Sequence, residues 1–206
     1  MINTVKISLN QSVQAHAKIK HATLLIAAIM CGVVSATAYA APIDASKSTV
    51  TSTGKQLGVA VTGSFKKISG DVSFNPAQLA KSSAKVDIDV ASYDMGMPEY
   101  NKNLLTPEWF DATKYPKATF RSTSIKGSGN QFTVTGQFAL KGRVKQVSFP
   151  VSFKTVGATQ VFDGTLVVKR TAFGVGSGDW ADTSVVADDV AIKFHMVVPV
   201  TAPAKK

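Results

Sequence analysis

The 206 residues carry a formal charge of +10, from 23 Lys and Arg against 13 Asp and Glu, but show no basic stripe of the kind that binds nucleic acid. One cysteine allows no disulfide framework, and past residue 40 a single histidine and no cysteine argue against a zinc centre.

The first forty residues hold three lysines and no acidic residue. Ala22 to Val34 is almost purely apolar, and at about 13 residues it is shorter than the ~18 needed to span a bilayer. "SATAYA" follows, with Ala38 and Ala40 in Ala-x-Ala spacing. A positive start, a short apolar centre and a small-residue exit describe a secretory signal peptide, residues 1–40, with cleavage expected after Ala40. Cys31 leaves with it, so residues 41–206 are expected to fold as one exported domain from an apolar core alone. That part keeps 20 basic residues against 13 acidic ones, a surplus that serves solubility or attraction to anionic lipid or an acidic partner.

The rest of the chain reads mostly in twos, the mark of half-buried strands. "DVSFNP" is a short first candidate. In "KVDIDV", Val86, Ile88 and Val90 face one way, and Lys85, Asp87 and Asp89 the other. "TPEWFDATKYPKATF", Thr106 to Phe120, breaks the pattern with two prolines and four aromatics. Thr106 suits a helix cap, Pro107 the first helical position and Glu108 the first turn. Tyr115-Pro116 stops a helix, so one short helical segment is expected from Thr106 to about Ala112, and a strand from Ala118. In "FTVTGQFAL", Phe132, Val134, Phe138 and Leu140 share a side with Gly136; in "VSFPVSF", Val147, Phe149, Val151 and Phe153 do the same. "TLVVKR" sets Arg170 in the row of Leu166 and Val168, where it meets either a salt bridge in the wall or a ligand head group. In "VAIKFHMVV", Val190, Ile192, Phe194, Met196 and Val198 share a side, which leaves His195 facing water beside Lys193.

"ISGD", "NPAQ", "KGSGN", "LKGR" and "VGATQVFDG" read as breaks, and spacings near ten residues suggest hairpins. Many antiparallel strands must hide their edges. Closure into a barrel does that, although a sandwich fits the same rows. Trp109, Phe110 and Tyr115 make an apolar surface too large for an idle loop, and it suits either a cover over an open barrel end or a core plug.

These residues also resemble a known family. "LLTPEWFDATKYPKATFRSTSI" is similar to the signature of the YceI-like family, with Trp109, Phe110, Asp111, Tyr115, Pro116, Ala118, Phe120 and Ser122 at matching positions. "VTGSFKKISGDVSFNP", "VDIDVASYDMG", "FTVTGQFALKGRVKQVSFPVSF" and "KRTAFGVG" resemble further family stretches in the same order, over about Ile43 to Val200. Two departures stand out. Lys47 stands where the family often has His, and Tyr100, Asn101, Asn103 and Leu104 replace its Arg-Asp-x-His-Leu. Contacts made through those polar residues are not carried over.

The resemblance implies an all-β fold, an eight-stranded antiparallel lipocalin-like β-barrel in the periplasm. It implies no catalysis, no metal and no cofactor beyond a long-chain ligand: a polyisoprenoid, an isoprenoid quinone or a fatty-acid derivative. On that basis Phe65, Ile88, Phe120, Phe138, Leu140, Phe149, Arg170, Ile192 and Phe194 are expected along the lumen, with Trp109 and Phe110 as its lid. The ending "GDWADTSVVADDV" resembles a subset associated with membrane b-type cytochromes, so such a partner stays open, as does a dimer.

Other chemistry is thinly supported. His195 is the one histidine of residues 41–206, which leaves a Ser-His-Asp site nothing else to use. Gly174, Gly176 and Gly178 read as a rim loop rather than a phosphate nest, because Asp179 and Asp182 repel an anion. Asp179, Asp182, Asp188 and Asp189 do not follow a calcium-loop spacing. An interaction module and a carboxylate-based lipid-ester hydrolase remain the alternatives to a carrier.

Overall fold

The computed structural model describes residues 40–200. Apart from Ala40, the expected signal peptide lies outside them. Eleven strand segments form one antiparallel sheet: β1 (Ala41–Pro42), β2 (Thr49–Gln56), β3 (Val59–Phe65), β4 (Ile68–Ser73), β5 (Ser83–Asp89), β6 (Tyr93–Asp94), β7 (Lys117–Ser128), β8 (Gln131–Leu140), β9 (Arg143–Val156), β10 (Thr159–Lys169) and β11 (Asp189–Pro199). A helix, α1 (Pro98–Leu104), follows β6.

Eleven segments are three more than the expected eight, and the register explains the excess. Along one edge of the β3–β4 stretch run β1 and then β2, with Ala41 opposite Val72 and Val50 opposite Phe65. Along its other edge run β5 and β6, with Ile88 opposite Ile68 and Tyr93 opposite Phe65. Each pair of segments is therefore one pass of chain, bent in the middle. Asp44 Oδ1 accepts from Ser46 N in the bend between β1 and β2. Lys66 and Lys67 bend the second pass, where Lys66 N donates to Ser92 O and Lys67 N to Ser92 Oγ. A 3₁₀ turn at Val90–Ser92, capped by Asp89 Oδ1 accepting from Ala91 N, bends the third. With β7 to β11 this makes eight passes. The ring closes where β11 pairs with β2, His195 opposite Thr49, and where Asp44 N donates to Val197 O. Closure leaves no long edge to aggregate.

The inward rows are the ones the alternation predicts. In β8, Phe132, Val134, Gly136, Phe138 and Leu140 are buried, while Gln131, Thr133 and Gln137 are exposed. Phe149 and Val151 in β9, and Leu166, Val168 and Arg170 at the end of β10, follow the same rule. Tight two-residue turns sit at Leu57-Gly58, Gly129-Asn130, Lys141-Gly142 and Gly157-Ala158.

Three local expectations are corrected. "ISGD" is not a break but the start of β4, where Gly70 holds a φ of +144° and a Cβ would come within 2.0 Å of Lys85 O. Only Gly157 and Ala158 of "VGATQVFDG" turn, and Thr159 to Asp163 already pair with β9. The helix lies earlier than expected: it is Pro98–Leu104, with Pro98 at its first position, while residues 107–110 are hydrogen-bonded turns. Thr106 Oγ1 donates to Asn103 O, closing the end of α1 instead of opening a helix. Asp111 then takes a φ of +51°, which ends any right-handed run. The strand after the aromatic segment begins at Lys117, as expected.

Candidate ligand-binding lumen

The inward rows do not meet in the middle. They enclose an apolar cavity of about 310 Å³ that runs from Phe74, Phe132 and Phe162 at one end to Trp109 and Trp180 at the other. That volume lies at the small end of the range for ligand pockets, about 300–1,000 Å³.

Glycines keep the bore open. A Cβ on Gly136 would lie 2.5 Å from Phe120 Cζ, one on Gly164 2.4 Å from Phe194 Cζ, and one on Gly63 2.4 Å from Tyr93 Cζ. At each place an aromatic ring takes up the space a side chain would fill against the bare backbone. Phe149 joins two of these rings into a middle layer, with centroids 5.3 Å from Phe120 and 5.7 Å from Phe194. Both spacings suit edge and offset contacts.

One end is sealed. Phe74 sits 5.1 Å from Phe132, 4.7 Å from Phe153 and 5.3 Å from Phe162, and Phe153 touches both of the others. The lining residues exposed to solvent, Tyr100 and Asn103 of α1 among them, belong to the opposite end, which is the mouth. There Trp109 packs on Trp180 at 5.5 Å, and Phe110 on Tyr93 at 5.6 Å and Phe65 at 6.2 Å.

The mouth is tied together through backbone groups. Gly176 N and Ser177 N both donate to Glu108 O, at 2.8 and 2.9 Å. Those N–H groups are thus spent on the aromatic segment, and the glycine loop is a rim loop, as expected, rather than a phosphate nest. A Cβ on Gly176 would strike Arg170 Nη1 at 2.4 Å, and one on Gly142 would strike Tyr115 Cε1 at 2.6 Å. Lys141 Nζ reaches Gly174 O at 2.6 Å, and burial draws its pKa down from the ordinary lysine value.

Arg170 is 3% exposed and faces inward, as expected. Among the described residues it makes no salt bridge with a side-chain carboxylate. Its guanidinium donates to the carbonyls of Val175, Gly176, Asp182, Val186 and Ala187, which binds the two mouth loops to the end of β10. Burial lowers its pKa from the ordinary arginine value, partly offset by the charge of Asp188.

All eleven residues expected at the site line this one cavity: Phe65, Ile88, Trp109, Phe110, Phe120, Phe138, Leu140, Phe149, Arg170, Ile192 and Phe194. The sequence reading missed Ser52 and Tyr93, whose hydroxyls meet at 2.7 Å in the wall, and Trp180. Ser52 was discoverable, since it shares the inward row of β2 with Val50 and Gly54. Outside the barrel, His195 Nδ1 meets Asp163 Oδ1 at 2.6 Å across β10 and β11, on a surface about 40% exposed and away from the lumen. The four aspartates weighed for calcium are scattered. Asp182 accepts from Ser184, Asp188 from Thr171, and Asp189 pairs with Lys169, while Asp179 is exposed. Among the described residues, no carboxylate and no histidine lines the cavity.

A closed up-and-down barrel with one aromatic mouth and an apolar bore is a lipocalin-like binding fold. The comparisons narrow the class: the YceI-like domain matches residues 42–198, and the chain belongs to the YceI family. A UPF0312 protein of Vibrio cholerae is 32% identical over 142 residues, which is 63% of this chain and 74% of that protein. The crystal structure of Burkholderia cenocepacia BcnA is 49% identical, covers 75% of this chain and 98% of its own, and superposes with a TM-score of 0.73. A polyisoprenoid-binding domain from Saccharophagus degradans shares the fold at 18% identity and a TM-score of 0.65, over 80% of this chain and all of its own.

Proposed function

We propose that this protein binds and carries a long-chain apolar amphiphile in the barrel lumen, without catalysing a reaction on it. The ligand is a polyisoprenoid, an isoprenoid quinone or a fatty-acid derivative. The signal-like residues 1–40 support the periplasm as the place where it does so. The single observation carrying the reading is the continuous apolar cavity behind Trp109, held open by glycine-backed rings. The polyisoprenoid-binding domain of Saccharophagus degradans, which shares the fold, supports the ligand class.

The energetics suit a carrier. A tail of about 20 carbons gains roughly 16 kcal/mol gross on leaving water, at about 0.8 kcal/mol per methylene. Association and chain ordering return about 4–15 kcal/mol of that. The remainder gives binding that is useful and still releasable. Hydrolysis of a lipid ester would need an acid, a base or a nucleophile beside the chain. The described residues of the lining include no carboxylate or histidine.

The test is to extract the purified protein with organic solvent and analyse the extract by mass spectrometry. A prenyl or acyl amphiphile in near-equal amount to protein is the expected result. An empty extract, together with no uptake of added prenyl chains, would sink the reading.

A further inference from the structure

Donor and acceptor accounting inside the lumen separates ligand classes that the apolar rows treat alike. A guanidinium has five N–H groups. Arg170 Nε donates to Val186 O and Ala187 O, both at 3.2 Å. Nη1 donates to Val175 O at 2.9 Å and Gly176 O at 2.8 Å. Nη2 donates to Val186 O at 2.7 Å and Asp182 O at 3.4 Å. Every donor is committed to backbone, and the surrounding carbonyl dipoles oppose the approach of an anion. The other cation along the cavity, Lys55, belongs to the outward row of β2 and is exposed. A charged head group of either sign drawn below the rim would lose its water and find no free opposite charge to pair with, which is strongly unfavourable in apolar surroundings.

Besides the amides of Gln56 and Asn103 near the rim, one polar feature of the wall is not used up. Ser52 and Tyr93 share a 2.7 Å hydrogen bond between hydroxyls. Two hydroxyls carry two hydrogens, and the mutual bond uses one. The other has no further partner among the described residues, so it is free to donate to an oxygen in the bore. The Tyr93 ring is fixed in place by bare backbone at Gly63 and by Phe65 at 4.7 Å and Phe110 at 5.6 Å. Burial raises its pKa above that of an ordinary phenol, against a smaller lowering by Ser52, so the hydroxyl stays protonated.

The geometry points to a lumen selective for amphiphiles with an uncharged head, whose carbonyl or hydroxyl oxygen accepts a hydrogen bond from the Ser52–Tyr93 pair. This rests on the carrier reading above and sharpens it. Prenyl quinones and prenols fit, whereas prenyl diphosphates and ionised fatty acids do not.

The test compares three probes on the full chain: a prenyl benzoquinone, a prenyl diphosphate of the same chain length, and squalene, which has a tail and no head. The quinone is expected to bind at least tenfold tighter than the diphosphate. Tyr93→Phe keeps the ring over Gly63 and is expected to weaken quinone binding about three- to tenfold, the worth of one hydrogen bond, while squalene moves less than about twofold. Ser52→Ala should act in the same direction. If Tyr93→Phe also loses squalene, its loss is one of folding, and Ser52→Ala decides by the same criterion. Equal or tighter diphosphate binding would overturn the inference. So would unchanged quinone binding in both variants, and either result would leave the carrier reading standing. Failure of all three probes to bind the wild type would end both.

Discussion

The two ends of this barrel are built on different principles. At the floor, Phe74, Phe132, Phe153 and Phe162 interlock ring against ring, with centroids within 6.2 Å and no polar group in the contact. At the mouth, aromatic rings are also present, but they hang on loops that are held by hydrogen bonds from one arginine and to Glu108 O. The floor is a core that happens to end a cavity. The mouth is a polar scaffold that positions apolar side chains. Core contacts are non-directional and tolerate little motion. A scaffold of carbonyls around one guanidinium is directional, and its loops belong to the part of a structure that opens at low energy.

The largest effect is expected from removing the mouth's organiser. Arg170→Met leaves five carbonyls short of a donor and should cost about 4 kcal/mol, seen as a lower urea midpoint and faster hydrogen exchange over residues 174–188. If the cost stays below about 1 kcal/mol, the scaffold description of the mouth is wrong. Phe74→Ala at the floor should cost about 3 kcal/mol through lost contacts and a new void. Its signature differs, because exchange at residues 174–188 should not change. Gly164→Val pushes the Phe194 ring off the wall and also presses on Pro150 O of β9. About 2 kcal/mol of overpacking strain is expected, together with a larger loss of prenyl binding by titration than either end variant of equal stability produces. Trp109→Ala should cost only about 1 kcal/mol, yet release a bound prenyl chain several times faster in stopped-flow displacement.

The smallest effects lie outside. His195→Ala breaks a half-exposed pair with Asp163 and should cost less than about 1 kcal/mol, with prenyl binding unchanged. Acid acts near the mouth through Asp188. Burial works to raise its pKa, but hydrogen bonds from Thr171 and the charges of Lys169 and Arg170 outweigh this and hold it below 3.8. A depressed carboxylate contributes stability above its unfolded pKa and loses it as pH falls through the folded value. Wild type and Asp188→Asn should therefore differ at pH 6 and converge well below pH 3.8, as followed by thermal unfolding.

What could be read from sequence was whatever repeats every two residues. The strand rows of β8, β9 and β11, and with them the lining, follow from alternation alone, because one side of each strand faces the bore. The bends that split three passes into six segments are not periodic. They depend on partners such as Ser92 against Lys66, 26 positions away, so eight passes looked simpler on paper than in space. The helix was misplaced because Thr106-Pro107-Glu108 imitates a helix start, whereas Met97-Pro98-Glu99 has no capping side chain. Arg170 was legible as inward-facing, but not its partners, since backbone carbonyls leave no trace in residue identity. The Ser52–Tyr93 pair was hidden for a similar reason: it joins β2 and β6, which meet only through their separate pairings with β3.

The glycines at 63, 136 and 164 have a consequence for how such a protein diversifies. The inner diameter here is set by three missing methyl groups, none of which a guest needs to touch. A single added carbon at Gly63 meets the Tyr93 ring alone and changes what fits, while at Gly136 and Gly164 it also presses on the backbone oxygens of Arg121 and Pro150, so the paired strand must shift with the ring. Chains sharing this shell are therefore free to differ in cargo through positions that no inspection of guest contacts would single out.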